Sequence, residues 1–296
     1  MIVQVLKKQF EIMSFREKYK ASVQLIRLEL AFAAGICVVL GGLIGTGSLL
    51  PDRMLIIGFF CGFFIAGSAN ILNDYFDFEV DKHNAPNRPI PSGSFSKTGA
   101  LLFSILTAFI GLFLALIISK VVFVFCVFLW LLSISYNWKL KEKGVFGNVI
   151  VAVCVASTFI LGAIISGTIW NKYIWLISLI AFFIDLGEEI AGDAMDVEGD
   201  KLRKTNSVAI KYGRDFALKL SSFSFLTVIL ISLIPVFLNQ MSFIYIILLI
   251  IVDFLILYFT YKLLKSKTRT EGLLFMRAIY SIAYLGLAVI YTLAFI

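Results

Sequence analysis

Asn70-Ile-Leu-Asn-Asp-Tyr-Phe-Asp-Phe-Glu-Val-Asp81 closes one long apolar segment, and Glu189-Ile-Ala-Gly-Asp-Ala-Met-Asp-Val-Glu-Gly-Asp200 closes another. Polar groups stand at the same spacing in both: Asn70, Asp74, Asp77 and Asp81 in the first, Glu189, Asp193, Asp196 and Asp200 in the second. On a helix turning about 100° per residue these offsets fall within an arc of roughly 60°, so each stretch predicts one polar stripe. An acid at the centre of a membrane helix costs ~2.5–3.5 kcal/mol, so these groups cannot face lipid. They must line a polar cavity or an interface.

The surrounding chain predicts a membrane. Of its 296 residues 60% are hydrophobic and 15% charged, with a mean hydropathy of +0.96, which is too apolar for a soluble domain. Apolar runs long enough to cross ~30 Å of hydrocarbon number about nine. They cover residues 28–50, 54–78, 99–118, 121–137, 147–168, 173–196, 215–237, 242–262 and 273–295. With the N-terminus in the cytoplasm, all but Arg53, Lys120 and Lys172 of the 26 Lys and Arg residues fall on cytoplasmic segments. The expectation is an all-α integral membrane protein of about nine transmembrane helices, N-in and C-out, forming one domain over 1–296 behind a cytoplasmic segment 1–27 that does not look like a signal peptide. Because each stripe ends an inward-running helix, the second and the sixth, the chain reads as two pseudo-repeated four-helix units plus a ninth helix. The net charge of +7 then reflects topology and marks no nucleic-acid partner. Cys37, Cys61, Cys126 and Cys154 lie inside spans without metal spacing and read as small buried apolar groups.

Eleven of the 19 acidic residues sit in the two windows 74–81 and 185–200. Neighbouring carboxylates repel unless a cation is shared between them. With no His or Cys on either stripe, the oxygen-only donor set disfavours zinc and copper and suits Mg2+, which takes one or two carboxylates together with waters and phosphates. Helix-end salt bridges are the alternative reading, and for Asp185, Glu79, Glu188 and Glu198 individually it carries equal weight. Basic residues follow each stripe: Lys82 and Arg88 after the first, Lys201, Arg203 and Lys204 after the second. A carboxylate-bound cation beside Lys and Arg is what holding a diphosphate requires. Three of the five prolines stiffen Asn84-Ala-Pro-Asn-Arg-Pro-Ile-Pro-Ser-Gly93, which predicts a rigid mount for Arg88. In Tyr136-Asn-Trp-Lys-Leu-Lys141, Tyr136 could face a developing carbocation and Lys139 could reach a phosphate, or the aromatics could be interfacial anchors. A cation-coupled transporter also uses paired acidic helices, but its carboxylates lie nearer mid-membrane than these.

Asn73-Asp-Tyr-Phe-Asp-Phe-Glu-Val-Asp81 resembles the N-D-x-x-D-x-x-x-D signature of the UbiA superfamily of intramembrane prenyltransferases, Asn87-Arg-Pro-Ile-Pro-Ser-Gly93 resembles the loop after it, and Asp196-Val-Glu-Gly-Asp200 matches the second signature. The resemblance spans the whole chain. It implies Mg2+-dependent transfer of a prenyl group from its diphosphate to a lipid acceptor, inside the cell membrane, with the site at the cytoplasmic side. By the match, Asn73, Asp77, Asp81, Asp196 and Asp200 would hold Mg2+ and the prenyl diphosphate, with Asp74 and Asp193 assisting. Lys82, Arg88, Lys139, Lys201, Arg203 and Lys204 would meet the diphosphate, and Asp74 or Glu189 could take a proton from the acceptor. The block 189–200 is most similar to the archaeal ether-lipid branch, which implies geranylgeranyl transfer to geranylgeranylglyceryl phosphate; quinone, chlorophyll and haem prenyltransferases share the same core motifs. Lys204 departs from the pattern, since many relatives carry glycine there.

Overall fold

A computed structural model describes residues 15–197, 201, 205–237 and 242–293. Every regular element among them is helical, and nine helices have 19 residues or more. The chain opens with α1 (Phe15–Ile26) and runs through α2 (Leu28–Thr46), α3 (Arg53–Phe76), the short α4 (Phe78–Asn84), α5 (Lys97–Ile118) and α6 (Lys120–Trp138). A 3-10 turn at Leu140–Lys143 leads to α7 (Val145–Ile165) and α8 (Lys172–Met195). The short α9 (Val208–Tyr212), α10 (Arg214–Ser232), α11 (Phe243–Lys265) and α12 (Arg269–Leu293) complete it. Seven of these, α2, α3, α5, α6, α7, α10 with its continuation to Phe237, and α11, are long and apolar enough to cross a membrane. The acidic α8 and the final α12 run beside them at the expected sixth and ninth positions.

Helix starts follow from local chemistry. Asp52, Ser96, Ser119 and Asn171 each cap a first turn, accepting from Leu55 N, Gly99 N, Val122 N and Tyr173 N at 2.8 to 3.1 Å. Large apolar side chains remain outside, Phe109, Val121, Phe223 and Phe254 among them at 65 or 66% exposure, as a lipid-facing surface requires. The core instead uses small residues. The missing Cβ of Gly41 would fall on the Phe159 carbonyl, and that of Gly162 on the Val38 carbonyl, so α2 and α7 cross backbone against backbone.

Packing bears out the doubled organisation. In the first unit (α2, α3, α5, α6) the second and third helices pack most extensively, and the same holds for α8 on α10 in the second unit (α7, α8, α10, α11). One hydrogen bond repeats as well: Ser104 Oγ donates to the Ser68 carbonyl at 3.1 Å, and Ser221 Oγ to the Gly187 carbonyl at 2.6 Å. Ser68 and Gly187 each stand two residues before their stripe. The units join chiefly through α2 and α7, and α12 packs on α11 and α8.

Two local departures matter for the site. The segment before residue 28 is not featureless, because α1 packs on α3 with Leu25 fully buried. The first stripe is also not one continuous helix: α3 ends at Phe76, Asp77 has ψ near 1°, and α4 begins at Phe78. Asp77 N still bonds to the Asn73 carbonyl at 2.9 Å and Asp81 N to the Asp77 carbonyl at 2.8 Å. Asn73, Asp77 and Asp81 thereby keep one face across the joint.

Candidate active site

Three carboxylates of the first stripe are buried together: Asp74 and Asp81 are each 2% exposed and Asp77 7%. Each is met by a cation from a different segment. Arg27 Nη2 lies 2.7 Å from Asp74 Oδ1, Arg88 Nη1 2.7 Å from Asp81 Oδ2, and Lys141 Nζ 2.5 Å from Asp77 Oδ2. Arg88 also reaches Asp74 at 3.4 Å. Burial pushes the Asp81 carboxyl above the usual carboxylate range, with Arg88 pulling the other way. For Arg88 burial alone would lower the pKa, but Asp74 and Asp81 hold it above the ordinary guanidinium value.

Each cation has a local reason for its place. Arg27 sits between α1 and α2 at φ 51°, the left-handed region, and is the one non-glycine residue at positive φ among the described residues. That conformation costs roughly 1–2 kcal/mol and turns the chain between the two helices. Arg27 also donates to Asn73 Oδ1 at 3.1 Å. Arg88 stands in the proline loop, as expected, where its N–H bonds to the Ala85 carbonyl at 2.9 Å and Ser92 N returns to its own carbonyl at 3.0 Å. Lys141 is carried inward by the 3-10 turn, which closes at Gly144 with φ 61°; a Cβ there would strike the Asn206 carbonyl.

Lys139 and Lys82 do not join this cluster. Lys139 is exposed with its ammonium over the Trp138 ring, and Lys82 pairs with Glu79 at 2.9 Å on the surface while lying over Phe78. For Lys139 a two-residue offset explains it: positions 139 and 141 leave the tight turn on different sides, which spacing alone does not distinguish. Asn70 also leaves the stripe, donating to the Ile26 carbonyl at 2.9 Å and fastening α3 to the end of α1. Asn73 takes its place and donates to Asn137 Oδ1 at 3.0 Å, a partner without a distinct sequence signal.

On the second stripe, Asp193 Oδ2 accepts from Asn148 Nδ2 of α7 at 2.9 Å, and Asp196 is the residue on which α8 ends. Lys201 is exposed, and Asp200, Arg203, Lys204 and Glu198 lie outside the described residues. Among the described residues no three His, Cys, Asp or Glu side chains gather into a ready cation cage. The cysteines are free thiols, Cys37, Cys61 and Cys126 buried and Cys154 half-buried, with the Cys61 and Cys126 Sγ atoms 3.5 Å apart.

A cavity of about 330 Å3 opens beside the carboxylates. Arg27, Asn73 and Tyr136 stand at its polar end; Asp185, Glu188 and Glu189 line it from α8. Apolar side chains of α2, α3, α6 and α7 form the rest of the wall. A second cavity of about 410 Å3 is lined by Arg27 and Asp74 together with Gln24, Asn87 and Arg88. Arg27 lines both cavities; the first, walled by the long helices, is the inner of the two, and the second is walled by residues of α1, α3 and the proline loop. If Lys141 is the functional lysine, Lys141→Ala should lower turnover on the order of tenfold to a hundredfold, the worth of a charge-assisted bond, while Lys139→Ala and Lys82→Ala stay near wild type. Steady-state rates of the three variants check this.

The UbiA prenyltransferase family matches residues 34–293. The digeranylgeranylglyceryl phosphate synthase of Pyrococcus horikoshii is 37% identical over 211 residues, which is 71% of this chain and 76% of that protein. A solved structure of a digeranylgeranylglyceryl phosphate synthase in membranes superposes with a TM-score of 0.73 at 29% identity, covering 93% of this chain and 99% of the other. A UbiA homologue from Archaeoglobus fulgidus bound to GPP and Mg2+ shares the fold, with a TM-score of 0.66 at 20% identity over 91% and 99% of the two chains. Family match, fold and membrane-spanning helices agree: the chain belongs to the UbiA prenyltransferase family and is a multi-pass membrane enzyme.

Proposed function

We propose that the protein transfers a geranylgeranyl group from its diphosphate to the free hydroxyl of geranylgeranylglyceryl phosphate, forming an ether bond, at the cytoplasmic side of an archaeal cell membrane with its N-terminus inside. The observation that carries this reading is the buried set Asp74, Asp77 and Asp81 with Arg27, Arg88 and Lys141, whose Arg27, with Asn73, also lines a largely apolar cavity. The named relatives supply the substrate class.

The donor set fits Mg2+. Three buried carboxylates and the Asn73 amide offer oxygen alone, and Asp193 and Asp196 stand at the end of α8. Asn73, Asp74, Asp77, Asp81, Asp193, Asp196 and Asp200 would hold it. When bound, Mg2+ would neutralise diphosphate charge as the allylic carbon–oxygen bond breaks. The protein's own groups do the rest. Arg27, Arg88 and Lys141 are positioned to exchange their carboxylate partners for diphosphate oxygens, so the leaving group finds cations already partly desolvated and aimed. Tyr136 lines the adjoining cavity, where its ring can shelter positive charge on the prenyl carbon. Apolar walls keep water from the reacting carbon.

Incubating the purified protein with Mg2+, geranylgeranyl diphosphate and a panel of glycerol-phosphate, quinone-precursor and porphyrin acceptors, followed by mass analysis, tests the reading. The expected product is the doubly prenylated glycerol phosphate. Exclusive prenylation of an aromatic acceptor would overturn it.

A further inference from the structure

The inner cavity contains a carboxylate that the cation cluster leaves unused. Asp185 lies on α8 and is 7% exposed, and its Oδ2 is fully enclosed without a hydrogen bond among the described residues. It lines the cavity together with Glu188, Tyr280 and Tyr284. The Tyr284 hydroxyl is a second enclosed polar atom there without a well-formed hydrogen bond, and the Tyr280 and Tyr284 rings pack 4.6 Å apart on the same wall. Glu188 has Arg277 near enough to offset its charge, whereas the charged groups acting on Asp185 are both acidic, Glu188 and Glu189. A buried polar atom without a partner costs about 1–3 kcal/mol, so an acid kept in this state inside a membrane enzyme indicates a missing partner. A hydrogen-bond donor held in the cavity that Asp185 lines would be that partner, reached by a turn of the carboxyl group.

We propose that Asp185, with the Tyr284 hydroxyl beside the same space, binds the hydroxyl group of the lipid acceptor and takes its proton. The assignment rests on the function proposed above. Asp185 lies eight residues, about 12 Å, inward of Asp193 along α8, which leaves space for the ester oxygen, the reacting carbon and an attacking hydroxyl between them. Asp74 is less suited, because Arg27 and Arg88 already cover it. In the step itself, the bond from the prenyl carbon to the diphosphate oxygen breaks and its electron pair leaves on the diphosphate. The acceptor oxygen forms the new carbon–oxygen bond, and its proton passes to the Asp185 carboxylate.

The test uses full-length protein in lipid nanodiscs with Mg2+, geranylgeranyl diphosphate and geranylgeranylglyceryl phosphate. It compares wild type with Asp185→Asn, Tyr284→Phe and Asp253→Asn. Asp253 serves as control because it is a buried acid of α11 satisfied by Ser232 at 2.9 Å, away from the cavity. Asp185→Asn should bind the donor within about twofold of wild type but form ether on the order of 10²–10³ times more slowly, the scale of a lost general base. The fraction of consumed donor recovered as the free prenyl alcohol should rise, because water then competes with an unactivated acceptor. Tyr284→Phe should slow ether formation about tenfold, with Asp253→Asn near wild type. Ether formation by Asp185→Asn within about threefold of wild type overturns the assignment, as does a parallel loss of donor binding, which would mark a structural role. Wild-type protein that makes no ether from the glycerol acceptor overturns the function reading and this assignment with it; normal wild-type turnover with an unaffected Asp185→Asn overturns the assignment alone.

Discussion

Asp77→Asn is expected to lower Mg2+-dependent prenyl transfer on the order of a thousandfold while leaving the bundle folded, because on the proposed reading several kcal/mol of transition-state charge stabilisation would depend on this carboxylate. Asp77 occupies the joint between α3 and α4, is 7% exposed, and is held by Lys141. Asparagine keeps the shape and the backbone bond to Asn73 but removes the charge. The Lys141 side chain, 19% exposed, then loses its partner, a modest loss of stability since part of the ammonium still meets solvent. Turnover with a Mg2+ titration, alongside circular dichroism and a melting curve, separates the effects. Half-saturation should move to higher Mg2+ with the helical signal unchanged. Near-normal turnover would remove Asp77 from the site.

Gly162→Val should have the largest effect on folding. The added Cβ would meet the Val38 carbonyl and come 2.6 Å from the Gly42 nitrogen, and these are backbone atoms that cannot swing away. α2 and α7 would have to separate along the seam that joins the two four-helix units. Overpacking typically costs about 1–3 kcal/mol, and a clash with backbone belongs at the top of that range or beyond, enough to deplete the folded state of a marginally stable bundle. Gly192→Ala is the contrast: nothing lies within 4 Å of its would-be Cβ, and alanine is the better helix former by up to about 1 kcal/mol. Melting midpoints of both variants in one detergent check the pair. A Gly162→Val protein as stable as wild type would mean the seam opens without loss.

Much of this was legible in the sequence because two periodicities carry it. Apolar runs placed the nine long helices of the described residues, and the doubled spacing located the two acidic helices. The repeated Ser-to-carbonyl bond just before each stripe gives that spacing a structural counterpart. Arg88 was found because prolines fix its loop. Arg27 and Lys141 were not, because each looks like an ordinary charge at a helix end. Only a left-handed turn and a 3-10 turn, set by packing of α1 on α3 and of Gly144 on Asn206, bring them to the carboxylates.

The chain alone determined that this is a helical membrane enzyme with acids at the ends of two related helices, since hydrophobic length and 3.6-residue periodicity are local properties. The tertiary structure decided which cations neutralise those acids, that Asn137 is the partner of Asn73, and that Asp185 Oδ2 meets no hydrogen bond among the described residues. These are outcomes of how distant segments meet across helix crossings of a few ångströms, and no spacing along one chain encodes that distance.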